Sequence, residues 1–426
     1  MKKYILIILC CLTSFPLWSY NVNMIVEHYS VDQGLPNNTV NCTLKDRDGF
    51  IWFGTWYGLC CFDGVKFKTF NKQEHDSDVP PRKIQRIVED KNGYIWVKTI
   101  DRKLYVFNKV TECFHAVYDD MKNYSENIQV IKLQNTAEGD VLLLTKDKNL
   151  LLAGVDEKGQ VTIKILFDSR NEINKHDYTL KHHVLCETEE YISWIGTDYK
   201  VAAVHKGSEL ASRPADFITS KINSGDKDSF TSFFEDGRKV WVGDRAGIFY
   251  SIDVRTGLVN RYVLSEIKGA ISNLLVTPAG YVYLSVAGQG TYEYDLAERR
   301  LQKINTEMND AMVTHAFIDQ YDKIWFHENE KALIYYDPLN HTAKRFPFTM
   351  FGKITTLYSE DAGERGLFFL SPAGEAWLFD REHAEMVYIN KLKQLSNDRA
   401  NQQFYHLMLD NDGVLCFPLP MKGCIA

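Results

Sequence analysis

Beyond its first dozen residues the sequence has no apolar run of about 18 residues, so no later stretch reads as a membrane helix. It has no surplus of basic charge. Lysine and arginine number 49 against 56 aspartates and glutamates, a net charge of −7, so no field exists to attract nucleic acid or anionic lipid. CxxC pairs are absent, which argues against zinc, and His182-His183 lacks HExxH spacing or a carboxylate partner. Gly288-Gln-Gly290 lacks the remaining glycine and the helix of a nucleotide loop, and there is no GxSxG elbow. No catalytic residue, metal or cofactor is expected. The seven cysteines after the leader (Cys42, Cys60, Cys61, Cys113, Cys186, Cys416, Cys424) are odd in number and irregular in spacing, unlike a disulfide framework. They read as small buried apolar residues.

What is present is a repeat. Val40 to Leu44 alternates as a half-buried strand does, and Asp46-Arg-Asp-Gly49 makes a tight turn. Phe50 to Thr55 and Leu59 to Phe62 follow as strands, and Asp63-Gly64 signals a hairpin into Lys66 to Phe70. This four-strand meander cannot bury its own faces. Its Trp52 position recurs as Trp96, Leu142, Trp194, Trp241, Tyr283, Trp325, Phe368 and Leu415. The spacing runs from 42 residues (Trp241 to Tyr283) to 52 (Leu142 to Trp194). Four strands at a period of roughly 40–50 residues are the signature of a β-propeller.

The stretches Gly34 to Val40, Asp46 to Thr55 and Gly58 to Gly64 resemble two-component regulator propeller repeats. The first unit matches closely, the second and fifth fairly well, and the third, sixth and eighth in pattern. This resemblance, which extends over nearly all of the chain after the leader, implies the periplasmic sensor region of a hybrid two-component histidine kinase. In gut bacteria such sensors often govern polysaccharide use. It implies recognition and not catalysis; kinase activity would reside in other domains, and membrane attachment in parts outside this sequence.

The expected fold is all-β, a seven-bladed β-propeller of four-stranded antiparallel blades followed by the start of a second propeller. Residues 1–19 read as a signal peptide, with a basic start, an apolar core and cleavage after Ser19, and imply export to the periplasm. Residues 20–340 would form the seven blades, the lone strand Met24 to Tyr29 serving as the outer strand of the seventh. Residues 341–426 would begin the second ring, with His341 to Phe346 as its opening strand. A ring of eight or nine units is the alternative.

The recurring tryptophans read as packing between blades. The loop joining strands two and three should open on the same end as the blade-to-blade connections, gathering ligand-facing residues around one mouth. Read blade by blade, it supplies Trp56 and Tyr57, Asp101 and Arg102, Asp147, Asp198 and Tyr199, Asp244 and Arg245, Gln289, and Glu328. Aromatic faces beside carboxylate and guanidinium groups suit an oligosaccharide or polysaccharide fragment, whose binding would shift the relation of two sensor chains in a homodimer. A secreted propeller enzyme acting on polysaccharide (lyase or glycosidase) and a protein-binding scaffold are the alternatives. The Asp-x-Asp/Asn-Gly turns lack the further oxygen ligands of a calcium loop.

Overall fold

A computed structural model describes residues 27–70, 72–73, 80–122, 124, 129–169, 180–188, 190–196, 201–207, 215–216, 230–304, 313–329, 331–351, 357–371, 374–391, 408–409, 415–419 and 423–425. Among them the strands form nine sheets. The first is Val40–Lys45, Ile51–Thr55, Gly58–Phe62 and Phe67–Phe70, a plain antiparallel meander. The others repeat it. The second sheet gains a fifth strand, because Lys72–Gln73 pairs parallel to Cys113–Ala116.

Burial explains the strand compositions. The second strand is buried along its whole length in Ile51–Thr55, Ile95–Thr99 and Val141–Thr145, because a sheet lies against each of its faces. The outer strand is wet, as in Arg300–Lys303 and Thr342–Pro347. Each core therefore lies between sheets. Trp52 packs with Ile84, Val97 and Phe107 of the second sheet, and Trp96 with Val130, Leu143 and Leu151 of the third. The expectation that the tryptophans pack between blades holds.

In the first, second, fifth and seventh sheets an aspartate opens this turn and has two tasks. Asp46 Oδ1 accepts from the N–H groups of Asp48 (3.0 Å) and Phe50 (2.9 Å), while its Oδ2 accepts from the Trp52 indole at 2.8 Å. Asp90 does the same for Asn92, Tyr94 and Trp96. So does Asp319 for Tyr321, Lys323 and Trp325. Asp236 holds Trp241 at 2.7 Å. Gly49 and Gly93 close two of these turns at φ of +92° and +87°, where a side chain would be strained. Inner strands carry a bulge near their start, and a polar side chain there reaches the next sheet. Asn41 Nδ2 donates to the Ile84 carbonyl and Thr231 Oγ1 to that of Ile271, both at 2.7 Å.

The blade count departs from the expectation. Thr342–Pro347 is not the opening strand of a second propeller; it pairs with Ala332–Asp337 and completes the seventh sheet. His28–Tyr29 is not the outer strand of the seventh sheet either. It pairs with Gly423–Ile425, His28 opposite Ile425 and Tyr29 opposite Cys424, in the ninth sheet. The eighth sheet packs on the seventh through Phe369 and Phe379 against Trp325. The ninth touches both the eighth and the first. Among the described residues the cycle thus runs through nine sheets, which is the alternative of eight or nine units and not seven blades with a second ring. The physical reason is that the outermost strand already belonged to the chain segment following each third strand, which left the N-terminal strand for the sheet at the far end of the sequence.

Candidate functional site

Two ends of the ring can be told apart by their hydrogen bonds. At one end the loops between second and third strands meet the connections between sheets. The Trp56 carbonyl accepts from Lys83 N–H, the Lys83 carbonyl from Ile100 N–H (both 2.9 Å), and the Arg102 carbonyl from Val130 N–H at 3.0 Å. The same link joins Ala287 to Ala270 and Phe348 to Lys331. This is the expected topology of the mouth.

The expected residues divide on inspection. Trp56 is 43% and Tyr57 63% exposed, and the Lys83 ammonium lies 5.4 Å from the Trp56 ring centroid. Through Lys83 these aromatics share one rim with Asp101 and Arg102, both exposed. Arg102 sits at φ +67°, fixed by its N–H bond to the Thr99 carbonyl. Burial alone would raise the Asp101 pKa, but a bond from Thr99 Oγ1 and the nearby Lys103 charge hold it below the usual value. Arg245 is exposed on the same end. Asp198 and Tyr199 lie outside the described residues.

Asp244 and Glu328 do not line the mouth with free carboxylates. Asp244 is fully buried, and its Oδ1 accepts from Ala246 and Ile248 N–H at 2.9 and 2.8 Å, holding the loop. Burial raises its pKa despite those bonds. Glu328 is 3% exposed and receives Arg345 Nε and Nη2 at 3.1 and 3.0 Å. Both end a second strand, where Thr55, Thr99 and Thr145 cap the same loop with their hydroxyls. Position in the strand decided their orientation.

The opposite end carries the turns between first and second and between third and fourth strands. Here a cation placed directly after the third strand reaches back to the preceding sheet. Lys109 Nζ lies 3.1 Å from Asp46, 2.9 Å from Asp48 and 2.7 Å from Glu89. Lys206 reaches Glu138 at 2.8 Å and Glu187 at 2.5 Å, and Arg381 reaches Asp319 at 2.6 Å and Asp361 at 2.8 Å. Burial disfavours the Lys109 charge, but its bonds to Asp48, Glu89 and Asp46 outweigh that and raise its pKa. Asp46, Asp48 and Glu89 are close enough to hold a metal ion, yet the ammonium already occupies the space between them. A cleft of about 810 Å³ opens beside this cluster, between the first and second sheets.

Residues 34–57 match the family model described as two component regulator propeller. That stretch is similar to a regulator propeller repeat. No curated protein matches the chain. Solved structures similar to it include the extracellular domains of two B. thetaiotaomicron proteins, one titled a one component system and the other a hybrid two component system. The first is 13% identical with a TM-score of 0.38, covering 92% of this chain and 64% of its own. The second is 14% identical with a TM-score of 0.37, covering 93% and 58%. The chain thus spans less than two thirds of the length of these relatives. BamB from Moraxella catarrhalis is 11% identical with a TM-score of 0.41, covering 94% and 97%.

The matched stretch runs from one end of the ring to the other. It contains Asp46, Gly49 and Trp52 of the turn, and it finishes on the exposed pair Trp56 and Tyr57. Sequence reasoning missed Lys83, Lys109, Lys206 and Arg381. A signal for the last three was available, since each is the first residue after a third strand.

Proposed function

We propose that the chain is an exported ligand-sensing propeller of a hybrid two-component signalling system, and that its ligand is an oligosaccharide. The observation that carries this reading is the regulator propeller repeat ending on an exposed aromatic pair, Trp56 and Tyr57, beside Lys83 and the Asp101-Arg102 loop. Exposed rings offer flat faces to sugar rings, and the neighbouring cation, carboxylate and guanidinium supply hydrogen bonds that fix orientation. The rim is held by backbone bonds between sheets, so its geometry exists before a ligand arrives. Residues 1–19 act as the export signal, and two such chains form the unit whose arrangement the ligand biases. The role is recognition; turnover and phosphotransfer are not assigned to it.

Calorimetric titration of residues 20–426 against a panel of defined oligosaccharides tests the reading. Saturable binding of one glycan class is expected, weakened about tenfold or more in Trp56→Ala, with a rise in melting temperature on saturation. A cooperatively folded chain that binds no member of the panel overturns it.

A further inference from the structure

The chain as a whole is acidic, yet the part of the mouth beside Trp56 is not. Two segments reach it from the second sheet, residues 82–86 and 98–103. They hold Arg82, Lys83, Arg86, Lys98, Arg102 and Lys103 against one carboxylate, Asp101. The segments facing them from the first sheet, residues 37–41 and 55–58, carry no charged side chain. The loop Lys146-Asp147-Lys148 of the third sheet adds two cations and one carboxylate. Asp101 is engaged by Thr99 Oγ1 at 2.5 Å and by Lys103 Nζ at 3.5 Å, and its pKa is held low. Even with both carboxylates counted as ionised, cations remain in excess among the described residues.

Lys98 lies at the centre of that excess. It is only 6% exposed, and its ammonium donates to Gln85 Oε1 at 2.7 Å and to the Ile131 carbonyl at 3.2 Å. Both acceptors are neutral, and no carboxylate pairs with it among the described residues. Arg86 stands directly opposite in the ladder, so the two side chains leave the same face of the sheet, and like charges so placed repel. The corresponding pairs are Cys42 with Gly54 in the first sheet and Ser232 with Gly243 in the fifth. Those are small and uncharged, so packing does not call for cations here. Burial, then the Arg102 and Arg86 charges, lower the Lys98 pKa. Arg86 and Arg102 are exposed, and neither makes an ion pair among the described residues.

We propose that the ligand of the mouth is an acidic oligosaccharide, whose carboxylate or sulfate ester pairs with Arg86 and Arg102 in front of the buried Lys98 ammonium. The proposal rests on the glycan reading above and gives its ligand a charge. Planar guanidinium groups meet an oxyanion with paired hydrogen bonds. An anion placed there also offsets the repulsion between Arg86 and Lys98, while a neighbouring sugar ring lies on Trp56.

Calorimetry of the full chain with digalacturonate, 3′-sulfated lactose and lactose tests it. The two acidic sugars separate a carboxylate from a sulfate ester, and lactose is the neutral control. At least one acidic sugar is expected to bind saturably and about tenfold or more tightly than lactose. Arg86→Gln, an exposed change, should weaken that sugar about tenfold and leave the melting temperature of the free chain unchanged. Lys98→Met should abolish the preference for the acidic sugar. Raising the salt concentration should weaken the unsubstituted chain more than Arg86→Gln, because the arginine contact is screened. Binding of neither acidic sugar, equal affinity for lactose, or an unchanged affinity in Arg86→Gln overturns the proposal. A chain that binds neutral oligosaccharides through Trp56 without preferring the acidic ones keeps the glycan reading and loses this one.

Discussion

The first and sixth sheets solve one packing problem with different chemistry. In the first, the buried Trp52 indole donates to Asp46 within its own turn, and Lys109 from the second sheet neutralises that aspartate. In the sixth, Tyr283 occupies the tryptophan position and Thr277 the aspartate position. The hydroxyl of Tyr283 donates instead to Glu293 at 2.8 Å, on the neighbouring strand, and Tyr336 of the seventh sheet donates to the same carboxylate at 3.1 Å. The cation's place after the third strand is taken by Leu296. What the position demands is a large flat ring with a partnered polar tip. Which strand supplies the partner is free to vary.

Three measurements sharpen this contrast. The largest effect is expected from Lys109→Met, which leaves the buried Asp46 without a cation and Glu89 with Arg47 alone. Unfolding in denaturant should show a loss of about 3 kcal/mol. A loss under about 0.5 kcal/mol would mean that the first sheet does not depend on its clasp. Tyr283→Phe is the milder case, since Glu293 keeps Tyr336, and about 1–2 kcal/mol is expected in the same assay. Equal losses for the two substitutions would erase the distinction between the sheets.

The smallest effect concerns Glu235, whose Oε2 is buried with no hydrogen-bond partner among the described residues. Burial, and then the Glu187 charge, push its pKa up to about 7, against a bond from the Glu187 backbone and the Lys206 charge. The folded state therefore holds this proton more tightly than the unfolded state does. Its contribution to stability is present below the ordinary glutamate range and is lost as the pH rises towards about 7. Melting temperatures across that window should show the decline in the native chain and a shallower one in Glu235→Gln. Identical slopes would remove Glu235 from the account.

How much of this was legible beforehand follows from what leaves a periodic trace. The tryptophan column and the aspartate turns do, because each sheet must bury one ring and close one hairpin, and so Trp52, Trp96, Trp241 and Trp325 could be aligned by eye. The number of sheets in the ring does not. A strand such as Thr342–Pro347 has the same wet pattern whichever sheet it edges, and only its pairing with Ala332–Asp337 decides. For the rim, exposure of Trp56 and Tyr57 was readable from two aromatics in a turn. Asp244 and Glu328 misled, because a carboxylate one residue earlier, on the strand itself, turns inward to hold the loop. The cross-sheet cations escaped notice because their partners lie tens of residues away in sequence.

The pairing of His28–Tyr29 with Gly423–Ile425 also has a kinetic side. Sheets one to eight are each built from nearby sequence and can assemble as the chain emerges. The ninth joins His28–Tyr29 to strands about 380–400 residues later, so it cannot close until those later strands are made. During that wait two unpaired edges face each other, and a strand from a second chain competes with the proper one for the same hydrogen bonds. At high concentration during refolding the competition is won more often from outside, which makes strand exchange between molecules the characteristic misassembly of this ring.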